Sequence, residues 1–428
     1  MFSKKTIKDI NLTSKTVLLR ADYNVPITDG RITDNYRIKQ SLPTIKYLLD
    51  QKARLVICSH LGRPDGVPTV AFSLKPVAKQ LSKLLNQPVE FADDCVGLKT
   101  EQQIKKLKPG QVLLLENLRF HPEEEKNDQE FSKQLASGKD VFVQDGFGVV
   151  HRAHASTEGV THFLPSVAGL LLEKEVDTIT DAMTTPKRPL SAIVGGAKVQ
   201  DKIEILKRLI HIADFLAIGG ALANPFLKAQ GVDIKDSLFD PGELSVAKDI
   251  IHSAEKESHL RAFSFFIPHD VVVASSIDKA SPTRVVDFAS NSFADIAYYP
   301  KAVPTTAIAL KDGEKILDIG PFSASFIAGA INQSQMVIWN GTLGVTEVPS
   351  LRGPIGPFAH ATETVIEASI GQFGHKPFSV VGGGDTVGYI ESRGLTASFD
   401  HVSTGGGASL ELMSGHKLPG VEALEDKK

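Results

Sequence analysis

Short β-branched and aliphatic runs recur along this chain, and each breaks off into a polar or glycine-rich cluster. In the first half they are TVLLRA from Thr16, RLVICS from Arg54, QVLLLE from Gln111 and DVFVQD from Asp140. Such runs lack the alternation that one solvated face would impose, so they read as strands buried on both faces of a parallel sheet. Amphipathic stretches between them, Ser41 to Leu49 and Leu74 to Leu85, have the length of crossover helices. A second series begins after Pro186: LSAIVG from Leu190, FLAIGG from Phe215, FSFFIP from Phe263, KILDIG from Lys315, MVIWNG from Met336 and FSVVGG from Phe378. It predicts a second sheet.

The two series are joined by SVAGLLLEKEVDTITDAM, in which Leu172, Val176, Ile179 and Met183 follow helical spacing and Pro186 acts as the stop. The expected fold is therefore α/β, with two doubly wound parallel-sheet (Rossmann-like) domains joined by a linker helix at about 166–184. The expected boundaries are 1–170 for the amino-terminal domain and 184–400 for the carboxy-terminal one. A length of 428 residues agrees, since one hydrophobic core stops growing well below that size.

Charged residues make up 23% and hydrophobic ones 42%, which excludes a disordered or a membrane-embedded chain. The net charge of −3 argues against nucleic acid or an anionic membrane as the main partner. The amino terminus, MFSKKTIKDINL, has no apolar secretory core, and Cys58 and Cys95 have neither disulfide-framework nor metal-ligand spacing. Reduced, packed thiols in the cytoplasm are the expectation.

In open α/β sheets, ligands sit beyond the carboxyl ends of the strands. In the first half those ends and their loops carry Arg20, Asp22, Asn24, Arg37, His60, Arg63, Arg119, His121, Asp145, His151, Arg152 and His154. Arginines gathered there suit a multiply anionic small molecule, because a planar guanidinium grips phosphate or carboxylate oxygens in a fork. Asp22 and Asn24, two apart on an extended stretch, share a face from which they could bind hydroxyls. The H-R-A-H pair lacks a third convincing metal ligand, so phosphate contact or packing is preferred for these histidines.

The second half offers glycine instead: GGAKVQDK at 195–202, GGALAN at 219–224, GGGDT at 382–386 and STGGGAS at 403–409. Glycine lets backbone N–H groups approach a ligand, and a helix beginning just after it turns its positive end to phosphate. Neither a G-x-x-x-x-G-K-[ST] loop nor an ordered G-x-G-x-x-G after the first strand occurs, which excludes P-loop ATPases and Rossmann dehydrogenases. Lys198 and Lys202 supply phosphate-neutralising charge. Asp385, followed by Thr386, could hold Mg²⁺ already bound to those phosphates.

Together the segments LLRADYNVPI, RITDNYRI, SHLGRPDG, LLENLRFHPEEEKND, FGVVHRAHAST, GGAKVQDKI, DIGP, WNGTLGVTE, VVGGGDT and STGGGASLELMSGHKLPGV resemble phosphoglycerate kinases along nearly the whole chain. The resemblance implies a monomeric hinge enzyme that transfers a phosphoryl group reversibly between 1,3-bisphosphoglycerate and ADP. It implies a substrate site of Asp22, Asn24, Arg37, His60, Arg63, Arg119 and Arg152. It implies a nucleotide site of Gly196, Lys198, Lys202, Gly220, Leu317, Asn340, Glu347, Gly383, Gly384, Asp385 and Thr386, with Glu347 on the ribose and Asp385 on Mg²⁺. Arg37 and Lys198 are the cations expected at the transferring group, assisted by backbone amides around Gly384 and Gly406. The segment 401–428 is expected to return to the amino-terminal domain.

The pattern departs from the family at Thr342, Thr346, Ala221, Gln144 and Gly146, and in a longer stretch from Val348 to Ala361. None of these removes an assigned charge; they bear on the shape of the adenosine pocket and on nucleotide preference. A non-catalytic phosphoglycerate- or nucleotide-binding protein on the same scaffold would be expected to have lost Arg37, Lys198 or Asp385, and all three are present.

Overall fold

The computed structural model describes residues 2–288 and 309–427. They form two compact units, one of Met1–Thr180 with Thr404–Lys428 and the other of Asp181–Ser403. Residues 289–308 of the expected carboxy-terminal domain lie outside the described residues.

The first unit is built on a six-stranded parallel sheet in the order Val89–Phe91, Val112–Leu114, Arg54–Cys58, Thr16–Arg20, Val141–Gln144 and Ser166–Ala168. The central strand Thr16–Arg20 is buried along its whole length. Val17 and Leu19 join Leu55, Ile57, Val112, Leu114, Val141 and Val143 in one core, against Ile38, Ile45 and Leu48 of the Tyr36–Asp50 helix and Val77 and Leu81 of the Lys75–Leu85 helix. Alternate residues pointing one way off a pleated sheet produce this grouping.

Three readings of this unit are corrected. The helix expected from Ser41 begins at Tyr36, where the Asp34 carboxylate accepts the Tyr36 N–H at 2.8 Å, and so it carries Arg37 in its first turn. Residues 166–168, expected as linker helix, form the sixth strand. The helix itself is Leu170–Thr184, and its start is marked by Asp145, whose Oδ1 accepts the N–H groups of Leu171 at 3.0 Å and Leu172 at 3.2 Å. Finally, His401 and Val402, expected to open the returning segment, still pair with Val380 and Val381 of the second sheet, and the return starts at Thr404.

The second unit contains a six-stranded parallel sheet in the order Ser264–Phe266, Phe215–Ile218, Leu190–Val194, Met336–Asn340, Phe378–Gly382 and His401–Val402. KILDIG, expected in this sheet, lies elsewhere. Its strand Lys315–Ile319 runs antiparallel to Asp270–Ala274, which also pairs with Arg284–Asp287, and these make a separate three-stranded sheet. Its apolar run is buried in a small cluster with Ala274, Val348 and Phe358.

Candidate active site

At the carboxyl ends of the first sheet, Asp22, Asn24, Arg37, His60 and Arg119 fall into one network, which among the described residues Arg63 and Arg152 do not join by a hydrogen bond. Arg37 Nη1 donates to Asp22 Oδ2 at 3.0 Å and to the Asn24 carbonyl at 3.1 Å, while Asn24 Oδ1 accepts the Gly62 N–H at 2.9 Å. Arg119 Nη1 donates to the Gly62 carbonyl at 2.7 Å and its Nε meets Glu125 at 2.9 Å. Arg152 Nε contacts His151 Nε2 at 3.1 Å, and Arg63 is exposed in the loop after Arg54–Cys58. Burial pushes the Asp22 carboxyl up, but the charges of Arg37 and Arg20 and the Asn24 N–H outweigh it and hold it below the usual range. Asp22 is thus a carboxylate that orients Arg37.

Arginine, rather than histidine, supplies the charge here. Burial drives His60 well below its ordinary value, with Arg20, Arg119 and Arg37 adding to the effect against Asp22. His154 is pushed down to about 4 by burial and then by Arg20, Arg119 and Arg152. Both rings are neutral at pH 7, so a bound anion meets guanidinium groups.

The network rests on Arg20, named among the strand-end cations but not assigned to the substrate, and on Glu124, which sequence reasoning missed. Arg20 is buried: its Nε donates to Ser156 Oγ at 2.8 Å, and its Nη2 lies 3.3 Å from His60 Nδ1. Glu124, fully buried, accepts from Ser156 Oγ at 2.6 Å and from the Ser156 N–H at 2.9 Å, in the field of Arg20. In sequence it is the middle of the acidic run Glu123–Glu125, which reads as a solvated face. Only its place three residues before an Asn-Asp turn signal hinted at a tight turn.

In the second unit the glycine loops interlock. The Gly196 N–H donates to the Thr342 carbonyl at 2.9 Å, Leu222 N–H to the Gly196 carbonyl at 2.9 Å, and Gly220 N–H to the Leu343 carbonyl at 2.9 Å. Gly341 has φ +97°, and a Cβ there would collide with the Gly195 carbonyl, so only glycine permits this approach. Lys202 Nζ donates to Asn340 Oδ1, and Thr386 Oγ1 accepts the Gly341 N–H at 2.9 Å. Asn340 is fully buried, yet its Nδ2 has no acceptor among the described residues. A buried donor left open beside a lysine suits an incoming phosphate oxygen.

Gly383 caps the Gly384–Ser392 helix, whose first turn presents exposed Gly384 and Asp385, while Thr386 is buried. Gly406 opens the Gly406–Ser414 helix of the first unit. Lys198 is exposed in the loop before Lys202, Glu347 is exposed after the Gly341–Val345 loop, and Leu317 is buried with its carbonyl accepting the Val345 N–H at 2.9 Å. Asp318 went unnoticed in the sequence. Fully desolvated and pushed well above its ordinary range, it accepts the N–H groups of Ile319 at 2.9 Å and Ala361 at 3.2 Å, and so braces the strand carrying Leu317.

Burial lowers Lys202 to about 8 against the opposing fields of Asp201 and Asp385. The lysine is charged below that pH and neutral above it. Affinity for a phosphate-bearing ligand held by this lysine should therefore fall about tenfold between pH 7 and pH 9, the fraction of charged lysine setting the scale. Lys202→Arg, charged throughout, should flatten the profile. Calorimetric titration at each pH tests this, and a flat profile in the unsubstituted protein would contradict it.

An arginine network at the strand ends of one sheet and a lysine-bearing glycine cradle at those of another define a two-unit α/β kinase of small molecules. The family model described as phosphoglycerate kinase matches residues 7–416. A phosphoglycerate kinase of Moorella thermoacetica is 47% identical over 425 residues, covering 99% of this chain and 100% of the relative. That of Pelotomaculum thermopropionicum is 43% identical over 425 residues, with 99% and 100% covered. The solved phosphoglycerate kinase of Coxiella burnetii superposes with a TM-score of 0.79 at 36% identity, covering 98% of each chain. The chain belongs to the phosphoglycerate kinase family.

Proposed function

We propose that this chain transfers a phosphoryl group reversibly from 1,3-bisphosphoglycerate to ADP, giving 3-phosphoglycerate and ATP, in glycolysis and gluconeogenesis. The observation that carries the reading is the pairing, within one chain of this family, of the Arg37–Asp22–Asn24 network with the Lys202–Asn340 cradle. On this reading Asp22, Asn24, Arg37, His60, Arg63, Arg119 and Arg152 bind the glycerate phosphate. Gly196, Lys198, Lys202, Gly220, Leu317, Asn340, Glu347, Gly383, Gly384, Asp385 and Thr386 bind the nucleotide.

In the ATP-consuming direction the nucleophile is the carboxylate of 3-phosphoglycerate, already ionised at pH 7, so no general base is required. What remains is positioning and charge neutralisation during in-line transfer. Arg37 and Lys198 neutralise the migrating group, and the amides at Gly384 and Gly406 donate to its oxygens. Because the two ligands must meet, turnover on this reading includes hinge closure, which also excludes the water that would hydrolyse the acyl phosphate.

Asp385 would hold Mg²⁺ with the nucleotide. Its exposed carboxylate is a hard oxygen donor at a helix start beside Lys202, which fits an ion that takes one or two carboxylates along with substrate phosphates. Bound there, Mg²⁺ would neutralise phosphate charge. Two free thiols and a near-neutral charge support a cytoplasmic protein, and we read it as a monomer. Among the described residues no helix is long and apolar enough to cross a membrane.

The test is ATP consumption that depends on 3-phosphoglycerate, followed through a coupled dehydrogenase. Activity that is abolished by EDTA and restored by added Mg²⁺ is expected. Undetectable turnover with both ligands still binding would instead favour the binding-protein alternative.

A further inference from the structure

Two loops of the first unit, one of them also carrying Arg119, bring three chemically different metal-ligating groups together. Asp94 and Cys95 follow the Val89–Phe91 strand, and His121 follows the turn after the neighbouring strand Val112–Leu114. These strands pair in parallel, Phe91 opposite Leu114, so their ends deliver residues distant in sequence to one place. Ligand atoms of Asp94, Cys95 and His121 all lie within 4.8 Å of one another.

The groups are already oriented. Asp94 Oδ1 accepts the Cys95 N–H at 2.6 Å and lies 2.7 Å from His121 Nε2, which turns carboxylate and imidazole towards each other. The His121 ring packs against Phe131 with centroids 5.2 Å apart, which limits its rotation. The Cys95 side is buried and the Asp94 side is exposed, so the cluster is closed on one side and open to water on the other.

We propose that Asp94, Cys95 and His121 form a binding site for a zinc-class divalent cation, with water in the fourth position. Thiolate and imidazole select zinc over magnesium, and three protein ligands with one open position is a common zinc arrangement. Bonds of about 2.0–2.3 Å in a tetrahedron bring ligand atoms to roughly 3.3–3.6 Å, so the 2.7 Å hydrogen bond between Asp94 and His121 must open, and any separation near the 4.8 Å bound must close by about 1 Å. Asp94 and His121 are exposed enough, at 52% and 28% of their side chains, to make that adjustment. On binding, the Cys95 thiol gives its proton to solvent and the sulfur lone pair to the metal, with no change of oxidation state. Occupancy would tie the loop carrying Arg119 to the loop after Val89–Phe91.

The spacing of 26 residues between Cys95 and His121 conceals the site in sequence, where neither cysteine shows a ligand pattern. A paired His121 and Asp94 with Cys95 merely packed beneath them is the competing description. It predicts no thiolate bond to a metal.

The full-length protein, stripped with EDTA and desalted, is titrated with Co²⁺ and then Zn²⁺. About one equivalent of Co²⁺ should give visible ligand-field bands and a near-ultraviolet thiolate-to-cobalt band, both displaced by Zn²⁺. Cys95→Ser and His121→Gln should each remove the thiolate band, and Cys58→Ala should keep it. No thiolate band in the unsubstituted protein, or a band that survives His121→Gln or Cys95→Ser, would overturn the proposal. Should Cys95→Ser fail to fold, the variant at the partly exposed His121, His121→Gln, decides alone.

Discussion

Replacing Arg37 with alanine should lower kcat by about 10²–10³-fold, the range seen when one preorganised donor to developing charge is removed. The guanidinium is held through its Nη1, by the Asp22 carboxylate at 3.0 Å and the Asn24 carbonyl at 3.1 Å. Its side chain remains 30% exposed, so the alanine variant should fold normally. Arg37→Lys should recover only part of the rate, because an ammonium keeps the charge but not the fork. Steady-state kinetics with a thermal melt on the same samples would separate a catalytic loss from unfolding. A kcat within threefold of the unsubstituted protein would remove Arg37 from the reaction.

The largest effect on stability is expected at Glu124. Glu124→Ala strips the acceptor from both the Ser156 hydroxyl and its N–H, and leaves buried Arg20 without the nearby carboxylate. Breaking a buried charged arrangement by removing one member costs about 3–5 kcal/mol. Against the roughly 5–15 kcal/mol that holds a domain together, that is a large fraction. The denaturant midpoint of the first unit should fall steeply. Glu124→Gln, which keeps an acceptor for Ser156, should fall less. Equal, small shifts in both variants would show that Glu124 does not organise the site.

Much of this fold could be read from the sequence because its sheets are parallel and buried on both faces. TVLLRA, RLVICS and DVFVQD need no tertiary information to be recognised as strands, and the clusters that follow them lie at the ligand-binding edge. Reading failed where partners distant in sequence decide the structure. KILDIG has the apolar run of a parallel strand, yet its antiparallel pairing with Asp270–Ala274 and its small cluster with Val348 and Phe358 set its sheet. The start of the Leu170–Thr184 helix depends on Asp145, a residue on another strand end.

The candidate site divides in the same way. Arginines and glycines at strand ends announce themselves by residue type. Glu124 and Asp318 do not, since a carboxylate in an acidic run or at the end of an apolar strand looks solvated until its N–H partners are known. Lys202 could be picked out as a candidate phosphate cation, but its lowered pKa follows from burial, which no spacing reveals.

The central claim is that the glycerate phosphate and the nucleotide are bound by different sets of residues on different units. Calorimetric titration of Lys202→Ala with ADP and, separately, with 3-phosphoglycerate tests it most directly. The account predicts ADP affinity lowered by about ten- to a hundredfold, as loss of a charge-assisted hydrogen bond implies, with 3-phosphoglycerate affinity unchanged. Unaltered ADP binding, or a matching loss of 3-phosphoglycerate binding, would contradict it.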